Sequence, residues 1–242
     1  MDEWRNRFTM PEVKAFRDGE AKIYRSCHDG IEDTHFQRFK EGIKYLDLEP
    51  GMRVLNICAI IGEAIPYLRG RCRDIEIINA ELSGEFIAIG KEGHPDDYFV
   101  QTSVVELPFR DCYFDYVLSL ETLEHVPDPV IFLRELYRTL KWGGTLVMSL
   151  PPRTAELPLR IYEMLFPHHG EGPHQFLPSK VVKRMTQDVG FTLMMHKGTV
   201  LIPVGPRWLK DLGERLIERF QRTPLSELGI RQFYVCRKEQ RG

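Results

Sequence analysis

Two short histidine-containing segments carry the side chains best suited to chemistry. The first, Glu121-Thr122-Leu123-Glu124-His125, places two carboxylates and an imidazole within five residues. The second, FPHHGEGPHQF, contains His168, His169 and His174. Carboxylate oxygens and imidazole nitrogens bind divalent metal ions, and a neutral imidazole also accepts a proton near pH 7. General-base catalysis by His125 or His174 and metal binding are both open at this point.

The elements around the first segment predict that it lies at the edge of a parallel sheet. An apolar, β-rich run over Asp115–Leu120 precedes it, a helical pattern covers Pro129–Leu140, and a second β-rich run follows over Thr145–Leu150. We interpret this as a βαβ unit whose helix is stopped by a C-terminal cap at Gly143-Gly144. Ligands of such sheets bind at the carboxyl ends of the strands, which is where Glu121–His125 falls.

Further β-rich runs indicate the same architecture in the first half of the chain. Arg53–Cys58, Ile75–Ala80 and Tyr98–Gln101 are separated by helix-sized segments. Strands that alternate with helices predict an α/β, doubly wound, Rossmann-like and mostly parallel sheet. We expect one domain over residues 1–242, whose subdivisions are an N-terminal helical segment at 1–50 and insertions at about 152–178 and 203–228.

The composition of the chain limits which kinds of partner are expected. The chain has 242 residues, 43% of them hydrophobic, and a formal net charge of −2, so a nucleic-acid partner is not expected. Its five cysteines are scattered without CxxC spacing, which favours a reduced, cytoplasmic protein over a disulfide framework. No run is long and apolar enough for a membrane span. The oligomeric state has no signature in the sequence.

The second insertion has an amphipathic pattern. Its apolar residues recur at helical spacing and are Leu209, Leu212, Leu216, Ile217 and Phe220. Its basic face includes Lys210, Arg215, Arg219 and Arg222. Two interpretations remain open, namely a solvated basic face and contact with a membrane surface.

Four motifs in order carry a family resemblance. Glu106–Phe109, Phe114–Val117, Leu123–Pro129 and Leu140–Gly144 read ELPF, FDYV, LEHVPDP and LKWGG. Together they resemble the class I S-adenosylmethionine-dependent methyltransferases, specifically the small-molecule methyltransferase domain. The resemblance implies a seven-stranded sheet with an antiparallel last strand, S-adenosylmethionine as cofactor, and methyl transfer to a small molecule, with oxygen expected as the methylated atom.

The resemblance also assigns residues to the cofactor. Glu81 matches the acid that binds the ribose hydroxyls, and Ser103 stands where the family has an aspartate facing adenine. The full set of cofactor-binding residues implied in this way is Asn56, Cys58, Gly62, Glu81, Leu82, Ser103, Val104 and Leu120. Some methyltransferases hold a divalent metal with two glutamates and a histidine, and Glu121, Glu124 and His125 resemble that set.

The loop after the first strand departs from the family. Only Gly62 remains of its glycines, Asn56 replaces an acid, and Cys58 and Ile60 add side chains. Because a β-branched residue disfavours positive φ, Ile60 predicts a different path for this loop. The degenerate loop keeps an alternative open, in which a methyltransferase-like protein has lost cofactor binding and acts as a binding or scaffolding partner. Another reaction in the same pocket is a third alternative.

Overall fold

The computed structural model describes residues 7–24, 32–156, 172–200, 207–220, 223 and 229–239. Within them, seven strands form a single sheet that is flanked by helices. The strands are β1 (Arg53–Ile57), β2 (Glu76–Glu81), β3 (Tyr98–Gln101), β4 (Phe114–Leu120), β5 (Leu140–Leu150), β6 (Thr192–Thr199) and β7 (Arg231–Arg237). The helices are α1 (Met10–Tyr24), α2 (Glu32–Ile43), α3 (Ile65–Arg71), α4 (Gly84–Gly93), α5 (Pro129–Thr139), α6 (Ser179–Val189) and α7 (Arg207–Arg219).

The sheet has the predicted topology. Its order is β3-β2-β1-β4-β5-β7-β6, the first five strands are parallel, and β7 is antiparallel to both neighbours. The strand order reverses between β1 and β4, so their carboxyl ends form the switch point where ligands bind in open α/β sheets. Since β6 is antiparallel to β7, it points the same way as β5 and ends at this same edge.

Each face of the sheet buries a separate apolar cluster. On one face, α2 and α3 contribute Phe39 and Leu68, which pack with Leu118 of β4. On the other face, α5 and α6 contribute Phe132 and Val182, and both are fully buried. Strands covered on both sides must be apolar along their whole length, which explains their continuous hydrophobic runs. No helix in the described ranges is both long and apolar enough to cross a bilayer.

Helix α5 begins as predicted but ends differently. The Asp128 carboxylate caps it by accepting from Val130 N at 2.9 Å and Ile131 N at 3.1 Å. The predicted glycine cap is wrong, because the chain leaves the helix at Thr139 and enters β5 directly. Gly143 instead has a φ of 77° inside β5, and a Cβ on Gly144 would approach Asp115 O to 2.8 Å. The glycine pair therefore lets β5 bend against β4.

Candidate functional site

The turn after β1 keeps a glycine-like backbone without the glycines. Cys58 and Ile60 have φ angles of 54° and 52°, and Gly62 has a φ of 86°. Ile60 therefore adopts a positive φ although its side chain is β-branched. A Cβ at Gly62 would come within 2.6 Å of Ile65 Cδ1, so glycine is required there. A left-handed residue other than glycine costs about 1–2 kcal/mol, and the surroundings must hold it in place.

The carboxylate of Glu81, the last residue of β2, holds the loop. Its Oε2 accepts from Ile60 N at 2.9 Å. Its Oε1 accepts from Leu82 N at 2.9 Å and from Ser83 N at 3.1 Å. Glu81 is 1% exposed, and a buried carboxylate is tolerated only when donors surround it in this way. The side chain thus joins the ends of β1 and β2 at the carboxyl edge.

Helix α1 adds a fourth donor to this carboxylate. Arg17 Nη2 donates to Glu81 Oε2 at 3.2 Å, and the guanidinium lies 5.0 Å from the centre of the Phe86 ring. Next to it, Asp18 Oδ1 accepts from Ser83 Oγ at 2.6 Å. Helix α1 therefore covers the end of β2. Sequence reasoning missed Arg17, because 64 residues separate it from Glu81 and no local pattern marks the pair.

Two other residues of the loop region make internal contacts. Asn56 Nδ2 donates to Asn79 Oδ1 at 2.9 Å, and Asn79 Nδ2 donates to Tyr98 O at 3.2 Å. This chain of bonds links three neighbouring strands. Burial, followed by the charge of Glu81, raises the pKa of the Cys58 thiol to about 12. The thiol is therefore protonated at neutral pH and packs as a weakly polar group.

A small cavity of about 10 Å³, which has room for roughly one water molecule, lies on the α2 side of the loop. Arg38 of α2 lines it, and this guanidinium also donates to Glu63 Oε2 at 3.3 Å. His35 Nε2 lies 3.0 Å from Glu63 Oε1 and 3.1 Å from Arg38 Nη2. The other polar and apolar residues on the pocket wall include Asn56, Cys58, Ile60 and Leu120. The pocket thus combines a buried cation with the backbone of the β1 loop.

Glu121, directly after β4, is held by two arginines. Its Oε2 accepts from Arg38 Nη1 and its Oε1 from Arg231 Nε, each at 2.5 Å. Burial alone would raise the pKa of this carboxyl. The charges and hydrogen bonds of Arg231 and Arg38 lower the pKa to about 2. Glu121 is therefore ionised at neutral pH and joins α2 to the start of β7. Neither arginine carries a local sequence signal that would have identified it.

The predicted metal set does not converge. Both carboxylate oxygens of Glu121 face guanidinium groups, whereas His125 Nδ1 lies 2.9 Å from Pro173 O. Glu124 is 2% exposed in the turn between them. The described residues contain no group of three or more His, Cys, Asp or Glu side chains that could hold a metal ion. Glu121, Glu124 and His125 are thus not assembled as metal ligands, because two arginines already satisfy the first carboxylate.

His125 and His174 do come together at this edge. Their ring centroids are 6.2 Å apart, and His174 Nδ1 lies 2.7 Å from Gly172 O. Burial lowers the pKa of His125 to about 4, against the opposing effect of its hydrogen bond to Pro173 O. With Nδ1–H donating to Pro173 O, the Nε2 atom of the neutral His125 ring keeps its lone pair.

The loop that carries His174 folds back over the end of β4. Gln175 N donates to Glu124 O at 2.9 Å, and Gln175 Nε2 donates to Val126 O at 2.8 Å. A Cβ on Gly172, whose φ is 75°, would collide with the ring of Phe16 in α1. The loop and α1 therefore cover the site together. Gln175 was not predicted, although it is the residue that fixes the loop to the sheet.

Comparison with known proteins identifies the family. A model of the methyltransferase domain family matches residues 55–148. The demethylmenaquinone methyltransferase of Staphylococcus aureus is 30% identical over 168 residues, which cover 66% of this chain and 69% of that protein. The chain belongs to the class I S-adenosylmethionine-dependent methyltransferase family. The match includes β1, β2, β4 and the ETLEH segment, the parts of the fold that surround the site.

Other relatives of this methyltransferase domain are matched over a smaller share. The demethylmenaquinone methyltransferase of Streptomyces griseus subsp. griseus is 28% identical over 139 residues, or 57% of this chain and 59% of that protein. The chain spans about half to three fifths of the length of the first curated relatives that it matches.

A solved structure shows the same fold. It is the complex between the Haloferax volcanii Trm112 methyltransferase activator and a methyltransferase, with a TM-score of 0.70 and 20% identity. The alignment covers 95% of this chain and 98% of that one. The resemblance extends beyond the family motifs to α1, α7 and the last two strands.

The remaining predicted cofactor residues of the methyltransferase domain lie along the same edge. Leu82 and Ser103 follow β2 and β3, and Val104 is 5% exposed. Ser103 Oγ accepts from Val105 N at 3.4 Å, which is a local turn contact. Leu120 ends β4 and is 8% exposed. His168 and His169 lie outside the described residues.

Proposed function

We propose that this protein transfers a methyl group from S-adenosylmethionine to an oxygen atom of a small-molecule acceptor. One observation carries the proposal. The Glu81 carboxylate at the end of β2 lies 2.9 Å from Ile60 N, in a β1 loop whose residues 58, 60 and 62 have positive φ. The loop and the acid therefore keep the mutual arrangement of a nucleotide-binding turn, although the glycines are missing.

The residues present fit the cofactor in their backbone geometry. Glu81 would hold the ribose hydroxyls, after its contact with Arg17 is exchanged for them. Ser103, Val104, Leu82 and Leu120 would border the adenine. Asn56, Cys58, Gly62 and the Arg38 guanidinium would border the amino-acid end, where a cation suits a carboxylate. These assignments rest on position along the carboxyl edge and on the family to which the chain belongs.

The bound cofactor supplies a methyl group already activated on a sulfonium. The chain's own residues then have two tasks, positioning and removal of a proton. The His125 ring donates through Nδ1 to Pro173 O, which leaves Nε2 as the proton acceptor for the hydroxyl of the acceptor molecule. Because its pKa is about 4, His125 is neutral at pH 7. His174 presents a second imidazole within the same group.

Cover over the site keeps water from the reacting atoms. Phe16 of α1 packs against Gly172, and Phe176 contacts the His174 ring edge-on with centroids 4.8 Å apart. A hydrophobic lid of this kind favours transfer to the bound acceptor over hydrolysis.

A specific observation favours a second function, that of a methyltransferase-like binding partner without cofactor. Glu81 already accepts from three backbone amides and from Arg17, and Cys58 and Ile60 place side chains in the loop. If these contacts are permanent, no acceptor oxygen is left for ribose hydroxyls. The protein would then use the fold only as a scaffold.

Isothermal titration calorimetry with S-adenosylmethionine and S-adenosylhomocysteine distinguishes the two functions. We expect saturable heat with both ligands, and loss of that heat in Glu81→Gln. Glu76→Gln is the matched control, because Glu76 lies on the same strand but is 38% exposed and pairs with Arg53. Absence of heat with both ligands at millimolar concentration would exclude the methyltransferase proposal.

The double variant Cys58→Gly/Ile60→Gly tests how the loop differs from its family. If its side chains obstruct a working site, glycine should strengthen cofactor binding about tenfold or more. Unchanged affinity would show that the site is rebuilt around these side chains. Cofactor binding that appears only in the double variant would favour the scaffold function for the natural sequence.

A further inference from the structure

Gln175, in the histidine loop formed by residues 172–176, holds the backbone on both sides of His125. Gln175 N donates to Glu124 O at 2.9 Å, and Gln175 Nε2 donates to Val126 O at 2.8 Å. Glu124 and Val126 are the two chain neighbours of His125. A single residue of the histidine loop therefore sets the position of the turn from which the His125 imidazole projects.

The side-chain bond of Gln175 lies away from solvent. Gln175 is 2% exposed and Val126 is 1% exposed. Because water replaces a lost hydrogen bond poorly at such depth, removal of the amide would deprive Val126 O of a donor or force the histidine loop to shift. Hydrogen bonds weaken steeply as they depart from linearity, so a small shift would be sufficient to disturb the neighbouring contacts of the loop.

The neighbouring contact that matters most is the one to the imidazole. Pro173 lies two residues before Gln175, and Pro173 O lies 2.9 Å from His125 Nδ1. A carbonyl oxygen only accepts, and proline has no N–H that could donate to the ring. This contact is therefore made only when Nδ1 carries the proton. The protonated nitrogen of a neutral histidine is set by such a bond, so the position of the loop selects the tautomer of His125.

His174 has its own partners inside the same loop. His174 Nδ1 lies 2.7 Å from Gly172 O, and the ring contacts Phe176 edge-on. These contacts stay within residues 172–176 and do not cross to the turn before α5. The bonds of Gln175 to Glu124 O and Val126 O should therefore affect His125 far more than His174.

We propose that Gln175 is a positioning residue for the proposed methyl transfer, because it holds Pro173 O against His125 Nδ1 and so keeps His125 Nε2 available as the proton acceptor. Gln175 acts through His125 and has no need to touch the acceptor molecule. The chemical meaning of this role rests on the proposed function. The tautomer itself is a property of the protein without ligands and is measured separately.

Nitrogen-15 NMR of the full chain with labelled histidine tests the role at pH 7. Long-range proton–nitrogen correlations distinguish a protonated ring nitrogen from an unprotonated one, and the His125→Asn spectrum identifies the signals of His125. We expect Nδ1 of His125 to be protonated in the unaltered protein. Gln175→Met keeps the length and the backbone N–H but removes the amide. It should lower the ratio of the Nδ1-protonated to the Nε2-protonated form about fivefold, as expected for the loss of one hydrogen bond.

A matched control lies at the same edge of the sheet. Gln101 Nε2 also donates to a backbone carbonyl, Leu82 O, at 3.1 Å. Gln101→Met should leave the His125 tautomer unchanged, and the signals of His174 should serve as an internal reference in every variant. Circular dichroism and urea unfolding establish that each variant is folded. If Gln175→Met does not fold, Gln175→Glu provides the second test, because it keeps the shape but presents no N–H to Val126 O at pH 7.

Three outcomes would overturn the role of Gln175. The first is a proton on Nε2 of His125 in the unaltered protein. The second is the same tautomer ratio in the unaltered protein and in a folded Gln175 variant. The third is an equal change in Gln101→Met. Calorimetry with S-adenosylhomocysteine separates this result from the proposed function. A protein that binds this ligand but meets one of the three outcomes loses only the role of Gln175, whereas absence of binding refutes the proposed function.

Discussion

Two carboxylates stand at the same edge of the sheet and differ in what holds them. Glu81 at the end of β2 is bound by three backbone amides and by one arginine, Arg17 of α1. Glu121 after β4 is bound by two arginines, Arg38 and Arg231. Backbone amides remain in place when an arginine departs, whereas an acid held only by guanidinium groups has no other partner.

This difference in partners distinguishes a carboxylate that a ligand could reach, Glu81, from one that supports the fold, Glu121. Arg17 is the only side-chain donor among the described partners of Glu81, and α1 lies outside the sheet, so a ligand hydroxyl can replace that contact. Arg38 and Arg231 come from α2 and β7, which pack on or within the sheet. Exchange at Glu121 would take a carboxylate from Arg231 and one of two carboxylate contacts from Arg38. We therefore expect ligand binding on the Glu81 side and a structural role for Glu121.

The largest expected effect is on stability at Glu121. Glu121→Gln should lower the free energy of unfolding by about 3 kcal/mol, because it removes the carboxylate that Arg231 contacts and leaves Arg38 with its longer contact to Glu63. This destabilisation is at the low end of the range for the loss of one partner from a buried ion pair, because the Glu121 side chain is 25% exposed. Urea unfolding measures the change. Glu76→Gln is the control and should cost at most about 0.5 kcal/mol, as expected for an exposed pair. Equal losses in the two variants would contradict the supporting role of Glu121.

His125 and Glu121 should also lose their contributions to the stability of the fold in different pH windows. The folded pKa of His125, about 4, lies below its usual value of 6.5, so the unfolded chain binds more protons in this interval. Stability is therefore lost as the pH falls from 6.5 to 4. The Glu121 pKa of about 2, against 4.5, places its loss between pH 4.5 and 2.

Urea unfolding across these pH values measures both windows. His125→Asn should remove about 2 kcal/mol of the stability change between pH 6.5 and 4. One pKa unit corresponds to about 1.4 kcal/mol, and the expected value is reduced because the ring is partly exposed. Glu121→Gln should flatten only the lower window. If His125→Asn leaves the slope between pH 6.5 and 4 unchanged, the buried neutral state of this imidazole is refuted.

A smaller effect is expected on affinity at Glu81. Arg17→Met should strengthen S-adenosylhomocysteine binding about tenfold, because it frees an acceptor position on Glu81 while an unbranched side chain still covers Phe86. Calorimetry measures this affinity. Lys22→Met removes the same charge from an exposed position of α1 and should have no effect. If Arg17→Met instead loses as much stability as Glu121→Gln, Arg17 is a structural partner of Glu81. Glu81 and Glu121 would then not differ in their roles.

The smallest effect concerns the Cys58 thiol, whose pKa is raised by burial and then by the charge of Glu81. Glu81→Gln should lower that pKa and speed alkylation of Cys58 by iodoacetamide about threefold at pH 8. Glu121→Gln should leave the rate unchanged, because Glu121 does not act on this thiol. Peptide mass spectrometry gives the rate at Cys58 separately from the other cysteines. A faster reaction in both variants would indicate general loosening of the fold.

Local sequence pattern was sufficient for the fold. The apolar runs at β1, β2, β4 and β5 correspond to strands that are covered on both faces, and their alternation with helices required a parallel sheet. Gly143 and Gly144 were misread as a helix cap, because glycine serves a cap and a strand bend equally well. Which use applies depends on the distance from β5 to Asp115 O, and local sequence does not contain that distance.

The candidate site was predictable only in part. Glu81, His125 and His174 could be placed because each lies just after a recognisable strand or within a glycine-rich loop. Arg17, Arg38 and Arg231 could not be found in this way. Each is an ordinary charged residue in its own segment, and it acquires a partner only when distant parts of the chain meet. The misassigned metal set has the same origin, since these arginines satisfy Glu121.

The sequence by itself determined the order of strands and helices, the carboxyl edge where ligands bind, and the family, because all three depend on residues near one another in the chain. Only the tertiary structure decided that Ile60 accepts a positive φ, that Glu121 supports the fold, and that Arg17 occupies Glu81. These outcomes depend on contacts between residues 21 to 110 positions apart, whose free energies exceed the local preferences.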